Sequence, residues 1–430
     1  MKDSTLRQVL RLAVPALPVL AAEPLYLLVD TAVVGGLGGL ELGALGVGAV
    51  ILATLATQFT FLSYGTTARA ARLYGAGRRE DAVAEGVQAT WIAAGLGLLI
   101  VLIGQMAAQP VVELLAGPGE LADAAAGWVR IAIWGAPLIM ITLAGNGWMR
   151  GVQDTRSPLR YVLAGNAVSA VLCPVLVHTA GWGLNGSAYA NVAGQTVAAA
   201  LFLAALRRAP LRPRPDLIRA QLAVGRDLIL RSLAFQACFV SAMAVAARYS
   251  VAAAGAHQVV LQLWNFLALV LDSLAIAAQA LVGAALGARD ERRAQSLARG
   301  LTGYGLVCGV LTGVGFAAVA GLLPKVFTTD PGVLAEIPNA WWFFVALQPV
   351  AGVVFALDGV FLGAGDTRYL RTTTLLAALV GFLPLIWVAH LLGWGLPGIW
   401  TGLSAFMLIR LGALLLRARS ATWAVVGETL

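Results

Sequence analysis

The sequence predicts an all-α integral membrane protein: twelve transmembrane helices, arranged as two parallel six-helix bundles related by pseudo-two-fold symmetry. Three observations lead there. Hydrophobic residues make up 60% of the 430 and charged residues only 12%, against about 25% charged in an average soluble domain. The apolar residues fall in a series of runs, each long enough to cross hydrocarbon as a helix. The chain also repeats its own landmarks at one constant offset. A water-soluble globule needs more polar surface than this chain owns. That excludes an ordinary cytosolic enzyme, a disordered chain and a disulfide scaffold, and leaves a chain whose apolar surface is solvated by lipid.

The charge-poor runs lie at approximately 12–37, 43–68, 84–108, 121–148, 159–180, 184–206, 223–252, 256–286, 300–322, 333–361, 372–392 and 396–416. A span needs about 20 residues, so a span with its connection takes roughly 30–35 and the length predicts about twelve. Barrel strands would be shorter and alternating; these runs are rich in Ala, Leu, Val and Gly, and a helix is the spanning form that satisfies its own backbone. Lys2, Arg7 and Arg11 precede the first run, which continues through Pro15, Pro18 and Pro24 to Gly39. It reads as a retained span rather than a cleaved signal peptide.

The net charge of +8 follows topology rather than nucleic acid. If the connections alternate between two sides, all but three of the 29 Lys+Arg collect on the side holding both termini. The exceptions are Arg130, Arg248 and Lys325. Positive residues stay cytoplasmic, so both termini are expected inside and the span number even. Of the Trp residues at 128, 134, 148, 182, 341, 342, 394 and 400, most fall near expected span ends and suit an aromatic belt.

Shifting the chain by 212 positions lays Asp154-Thr155-Arg156 on Asp366-Thr367-Arg368. The same shift superposes Pro137 on Pro349, His178 on His390, and Gly181-Trp182-Gly183-Leu184 on Gly393-Trp394-Gly395-Leu396. No gap is needed. Each half holds six spans and enters from the same side, as in transporters built from parallel repeats, whose substrate site lies between the halves. The expected organisation is an N-terminal lobe over 1–206, a cytoplasmic linker over 207–218 and a C-terminal lobe over 219–430. The linker is basic and Pro-rich (Arg207 to Pro215), hence extended and non-helical. A pair of strapped bundles fits rocking better than a channel.

Charge inside a span is costly, roughly 2.5–3.5 kcal/mol at the centre on insertion scales, so the exceptions carry information. The first span contains Glu23 and Asp30, seven residues and close to two turns apart, on one face. Pro24 lies between them and frees a backbone carbonyl in the preceding turn. A bending helix with a protonatable face can exchange a proton or hold Na⁺ through oxygen; the alternative is a carboxyl that only hydrogen-bonds a neighbouring helix. In the second half, Gln236 lies on the seventh span, and Gln258, Gln262, Asn265, Asp272 and Gln279 form one stripe on the eighth. Such amides serve as interhelical glue, whereas a stripe containing Asp suits a wet cavity wall. Trp264 lies near the stripe, where it packs or stacks on an organic cation. Asp358 lies on the tenth span beside Gly359. Asp154, Arg156, Asp366 and Arg368 read as loop caps and inside-facing charges.

Cys173, Cys238 and Cys308 lie inside apolar runs without metal-ligand spacing and read as buried small hydrophobes. No Walker A loop, Ser/His/Asp set, H-E-x-x-H or dinucleotide fingerprint occurs. The chain therefore reads as no enzyme, and its energy comes from an ion gradient or the movement is downhill.

Three segments carry a family resemblance: LLVDTAVVGGLG around Asp30, LVLDSLAIAAQALVG around Asp272, and FALDGVFLGAGDTR around Asp358. At these the chain resembles the multidrug and toxic compound extrusion (MATE) transporters, in particular their DinF-like branch, over essentially its whole length. The resemblance implies an antiporter that exports amphipathic, often cationic compounds in exchange for H⁺ or Na⁺, without further cofactor. It implies that Asp30 is the coupling carboxylate, with Glu23 at a position acidic in some relatives and Asn191 as the small polar residue of the sixth span. Where the family often has Asn and Asp before a Pro on the fifth span, this chain has Ser169 and Cys173. One expected carboxylate is therefore missing. Asp272 and Asp358 match the branch, and Gln279 replaces its Glu. The reading carries a small-molecule substrate, membrane lipids, no nucleic acid, a monomer, and a plasma (inner) membrane location. Its alternatives are a flippase for lipid-linked precursors, disfavoured by few basic groups within the spans, and an exporter of organic anions such as carboxylates.

Overall fold

The computed structural model describes residues 2–420 and 422–428; the side chains of residues 2–4, Lys2 among them, lie outside the described residues. Secondary structure is entirely helical there. Twelve helices are long and apolar enough to cross a membrane. They are α1 (Thr5–Gly35), α2 (Gly39–Gly75), α3 (Arg79–Ala116), α4 (Glu120–Gly151), α5 (Arg156–Thr179) and α6 (Gly183–Leu206). The second six are α7 (Pro215–Tyr249), α8 (Val251–Gly287), α9 (Glu291–Ala318), α10 (Pro338–Ala364), α11 (Thr367–Leu391) and α12 (Gly395–Ser420). Each expected run has its helix. The run placed at 333–361 starts later, because Asp330 caps a separate short helix, Pro331–Glu336, by accepting from Gly332 N and Val333 N.

Contacts gather the chain into two compact units, Val14–Gly225 and Arg226–Leu430 with Met1–Ala13. The divisions thus fall inside α1 and α7. Residues 210–214 are non-helical, as their prolines dictate, but they are not a free strap. Gln88 Nε2 donates to Arg212 O (3.1 Å), Arg214 N donates to Gln88 Oε1 (2.7 Å), and Trp91 Nε1 donates to Leu211 O (2.8 Å). Beside them Glu85 takes a two-pronged ion pair from Arg69 and a bond from Gln221 Nε2 at 2.6 Å. The start of α7 is therefore fixed to the first unit.

The duplication is written into the backbone. Residues with left-handed φ recur at the same offset: Gly77 and Arg289, Gln153 and Gly365, Gly181 and Gly393, Gly183 and Gly395. The shared Gly-Trp-Gly-Leu is explained at once, since both glycines sit where a side chain is strained. At two of the four positions one copy carries that strain on a non-glycine residue, Arg289 or Gln153.

Helix packing uses small residues. On α9, Gly305, Gly309 and Gly313 are buried against α10, where Gly352 meets Gly305 backbone to backbone. The opposite face, Val307, Leu311 and Val314, is exposed and apolar, as lipid requires. The α5 helix ends in a π turn, Val175–Thr179, directly after Pro174, where the missing N–H favours such irregularity. Gly186 of α6 seats on that turn: a Cβ there would lie 2.7 Å from the Leu176 carbonyl carbon and 2.8 Å from Val177 N. Gly186→Val is expected to push α5 from α6 and destabilise the protein by ~1–3 kcal/mol. The readout is a lower melting midpoint in detergent, and an unchanged midpoint would refute the packing argument.

The tryptophans divide. Trp134, Trp182, Trp342 and Trp394 are exposed, in keeping with a belt, but Trp128, Trp148, Trp341 and Trp400 are buried. Position near a helix end does not say which face a residue occupies; Gly48 and Gly86, for example, make room for Trp128 and Trp148.

Candidate functional site

The first unit contains a cavity of about 340 Å³, within the range of small-molecule pockets. The face of α1 carrying Glu23, Tyr26 and Asp30 forms one wall. Asn146 of α4, Asn166 of α5, and Asn191 with Gln195 of α6 supply the other polar groups. Much of the remainder is aliphatic, including Leu27, Leu52 and Leu143, and no Lys, Arg or His among the described residues lines it. Glu23 is open to the cavity, whereas Asp30 is 2% exposed.

Neighbouring helices hold Asp30 and its helix in place. Cys173 Sγ donates to Asp30 Oδ1 at 3.2 Å. Asn166 Nδ2 donates to the Ala22 carbonyl at 2.9 Å, two residues before Pro24. His178, carried on the π turn, brings Nε2 within 3.1 Å of the Val33 carbonyl near the end of α1. Trp128 Nε1 donates to Ser187 Oγ at 2.8 Å, and Ser169 Oγ to the Ala190 carbonyl at 2.9 Å. Thr142 Oγ1, Asn146 Oδ1 and Asn191 Oδ1 are among the buried oxygens at the cavity that have no hydrogen-bond partner among the described residues. Buried oxygens left bare are unfavourable. Two carboxyls, bare acceptors and apolar walls suit an occupant with an apolar body and cationic or N–H groups.

Glu23 and Asp30 share the cavity face of α1, as their spacing suggests, and Asn191, a position given by the family resemblance, reaches the same cavity from α6. Cys173 is fully buried as expected, but it is not merely a small hydrophobe: its thiol serves the carboxyl. Tyr26, Asn146, Asn166 and Gln195 escaped the sequence reading. The signals were there, since 191 and 195 share a helix face and 23, 26 and 30 share another.

The residues singled out in the second half lie in the second unit. Gln236, Gln258, Gln262 and Asn265 are exposed on α7 and α8. Asp272 is half-buried, and Gln279 is buried where Gly363 packs on its backbone. Trp264 packs edge-on against Phe344, centroids 6.4 Å apart. Asp358 belongs to an ion cluster: Arg231 Nη2 at 2.6 Å and Arg410 Nη2 at 2.5 Å donate to its Oδ2. This corrects the expectation of few basic groups within the spans. Arg231 and Arg410 belong by sequence to the basic side, yet Arg410 is buried, with Phe235 and Phe406 against its guanidinium. The repeated Asp-Thr-Arg also diverges. Asp154 caps α5 through Arg156 N and Ser157 N, as expected, whereas Asp366 is engaged by Arg417 Nε at 2.7 Å.

Comparison with known proteins agrees with this architecture. The family model described as MatE matches twice, over residues 15–175 and 228–388. The chain is 32% identical to Protein DETOXIFICATION 44, chloroplastic, of Arabidopsis thaliana, over 97% of this chain and 83% of that one. It is 29% identical to DNA damage-inducible protein F of Escherichia coli (strain K12), over 92% and 88%. Among solved structures, a MATE protein in the bent conformation superposes with TM-score 0.90 at 21% identity, covering 97% of this chain and 96% of the other. An outward-facing multidrug resistance MATE transporter gives 0.85 at 21% identity, with 96% of each chain covered. The chain accordingly belongs to the MatE family: it is a multi-pass membrane transporter of the MATE type and not an enzyme.

Proposed function

We propose that the protein is a secondary antiporter that exports amphipathic organic cations in exchange for protons, with the cavity of the first unit as the exchange site and Asp30 as the coupling carboxylate. The observation that carries this reading is the cavity itself, with two carboxyls, bare oxygens and no basic side chain among the described residues that line it. Substrate leaves and proton arrives at the same group. Cargo with N–H or cationic groups is held while Asp30 is ionised; protonation removes the cost of burying that charge, α1 bends near Pro24 and the cavity contracts. Loss of the proton on the opposite side resets the site. The ion drives the cycle by binding the two states unequally.

H⁺ is favoured over Na⁺ because the Cys173 thiol, a hydrogen donor and not an oxygen ligand, stands against Asp30 Oδ1, beside the Ser187 hydroxyl that also faces the carboxyl. A flippase for anionic lipid-linked precursors would need cationic groups in its cavity, and none of the described residues supplies one here. The protein acts as a monomer in the plasma (inner) membrane, with both termini cytoplasmic, as the distribution of its basic residues favours.

Reconstitution into vesicles with ΔpH and Na⁺ gradients imposed separately tests the reading. Efflux of an organic cation such as ethidium is expected to follow ΔpH and to ignore a Na⁺ gradient. Efflux driven by Na⁺ alone would overturn the proton assignment, and transport indifferent to both gradients would overturn antiport.

A further inference from the structure

Three side chains of α5 hold α1, and they differ in kind. Asn166 donates to the Ala22 carbonyl, before Pro24. Cys173 donates to Asp30 and His178 engages the Val33 carbonyl, both after Pro24. Two of these partners are backbone carbonyls, whose charge never changes. The third is a carboxyl. A thiol is a weak donor, and a bond to an ionised acceptor is about twice as strong as a neutral one. Cys173 is fully buried, among Val177, Ala190 and Leu172, so no water competes for its hydrogen.

The geometry points to Cys173 as the positioning residue that holds the middle of α1 against α5 while Asp30 is ionised and releases it when Asp30 takes up a proton. This rests on Asp30 being the coupling carboxylate. Uptake forms one O–H bond on Asp30 and breaks none in the protein; the thiol keeps its hydrogen. The neutral acid is a poorer acceptor, so the S–H···O bond loses its charge assistance. The bonds at Ala22 and Val33 are untouched. The segment between those two fixed points is then free to bow at Pro24, with the last turn of α1 still tied. The groups facing Asp30 allow this reading. Glu23 and Tyr26 lie on its own helix, Trp128 and Asn146 on α4, and Ser187 and Asn191 on α6. The α2 helix contributes only Ala49, Leu52, Ala53 and Ala56. Glu23 is the one other acidic group among the residues lining the cavity.

Infrared spectroscopy of the full-length protein in lipid bilayers, titrated with pH, tests the proposal. The S–H stretch of Cys173 is assigned by its loss in C173A, and the protonated C=O band of Asp30 by its loss in D30N. The S–H band is expected to move to higher frequency over the pH interval in which the Asp30 band grows. C173S, which restores a donor, is expected to keep coupled efflux. C173A is expected to lower coupled efflux roughly three- to tenfold and to move its pH profile toward alkaline values, by roughly the half to one unit that one hydrogen bond is worth. An Asp30 band that titrates while the Cys173 band stays still would overturn the role of Cys173 and leave Asp30 in place. So would C173A with a wild-type pH profile. An Asp30 band absent at every pH, with coupled efflux intact, would overturn the coupling carboxylate itself.

Discussion

Asp30→Asn is expected to abolish ion-driven efflux while leaving the chain inserted and folded. The substitution is nearly isosteric and removes charge from a position 2% exposed, so it relieves rather than adds burial cost. What it destroys is the ability to exist in two charge states. A coupling ion works only through its differential affinity for two conformations, and a shift from one dominant state to the other takes about 5.5 kcal/mol. With the carboxyl gone, that difference has no seat. Initial rates in vesicles under an imposed ΔpH should fall by roughly a hundredfold or more, while detergent melting and yield remain at wild-type levels. Glu23 does not rescue the variant, because it is open to the cavity and carries no bond to α5. Undiminished ΔpH-driven efflux by D30N would remove Asp30 from the mechanism.

Some of this protein was legible in its sequence for identifiable reasons. Span positions follow from hydrocarbon thickness, and the duplication follows from a covalent offset; both are one-dimensional. The carboxyl face of α1 was legible because helical periodicity alone puts residues 23 and 30 together. What required the structure depends on helix pairing. The donation by Cys173 joins residues 143 apart in the chain, and Asp358 meets partners 127 and 52 residues away. Neither separation leaves a periodic trace. Sequence gives depth along a helix more readily than it gives the face, so the four inward tryptophans look there like the four of the belt. The left-handed turns at Gln153 and Arg289 were hidden for another reason: each copy lacks the glycine that announces the same turn in its repeat.

Asp358→Ala is expected to be among the most destabilising single changes in the second unit. It removes the shared anion of Arg231 and Arg410 and leaves two cations facing each other in an apolar bundle. Breaking a buried ion pair from one side costs about 3–5 kcal/mol. The two arginines do not suffer equally. The Arg231 side chain is 15% exposed and retains some access to solvent, whereas that of Arg410 is 2% exposed and does not. Stacking on Phe235 and Phe406 softens the loss but does not neutralise a charge. The double variant D358A/R410M removes the trapped cation with its anion and should recover most of the lost stability, since apolar replacement of a whole buried pair is often neutral or better. Melting midpoints in detergent for the two variants check this, and a double variant less stable than the single would refute it. The same pair of variants decides whether Asp358 binds cargo or only builds the bundle. If its work is structural, D358A/R410M should run ΔpH-driven efflux near the wild-type rate, because the cavity proposed as the exchange site is lined by residues of the first unit; a variant that is stable and silent would move substrate recognition to the second.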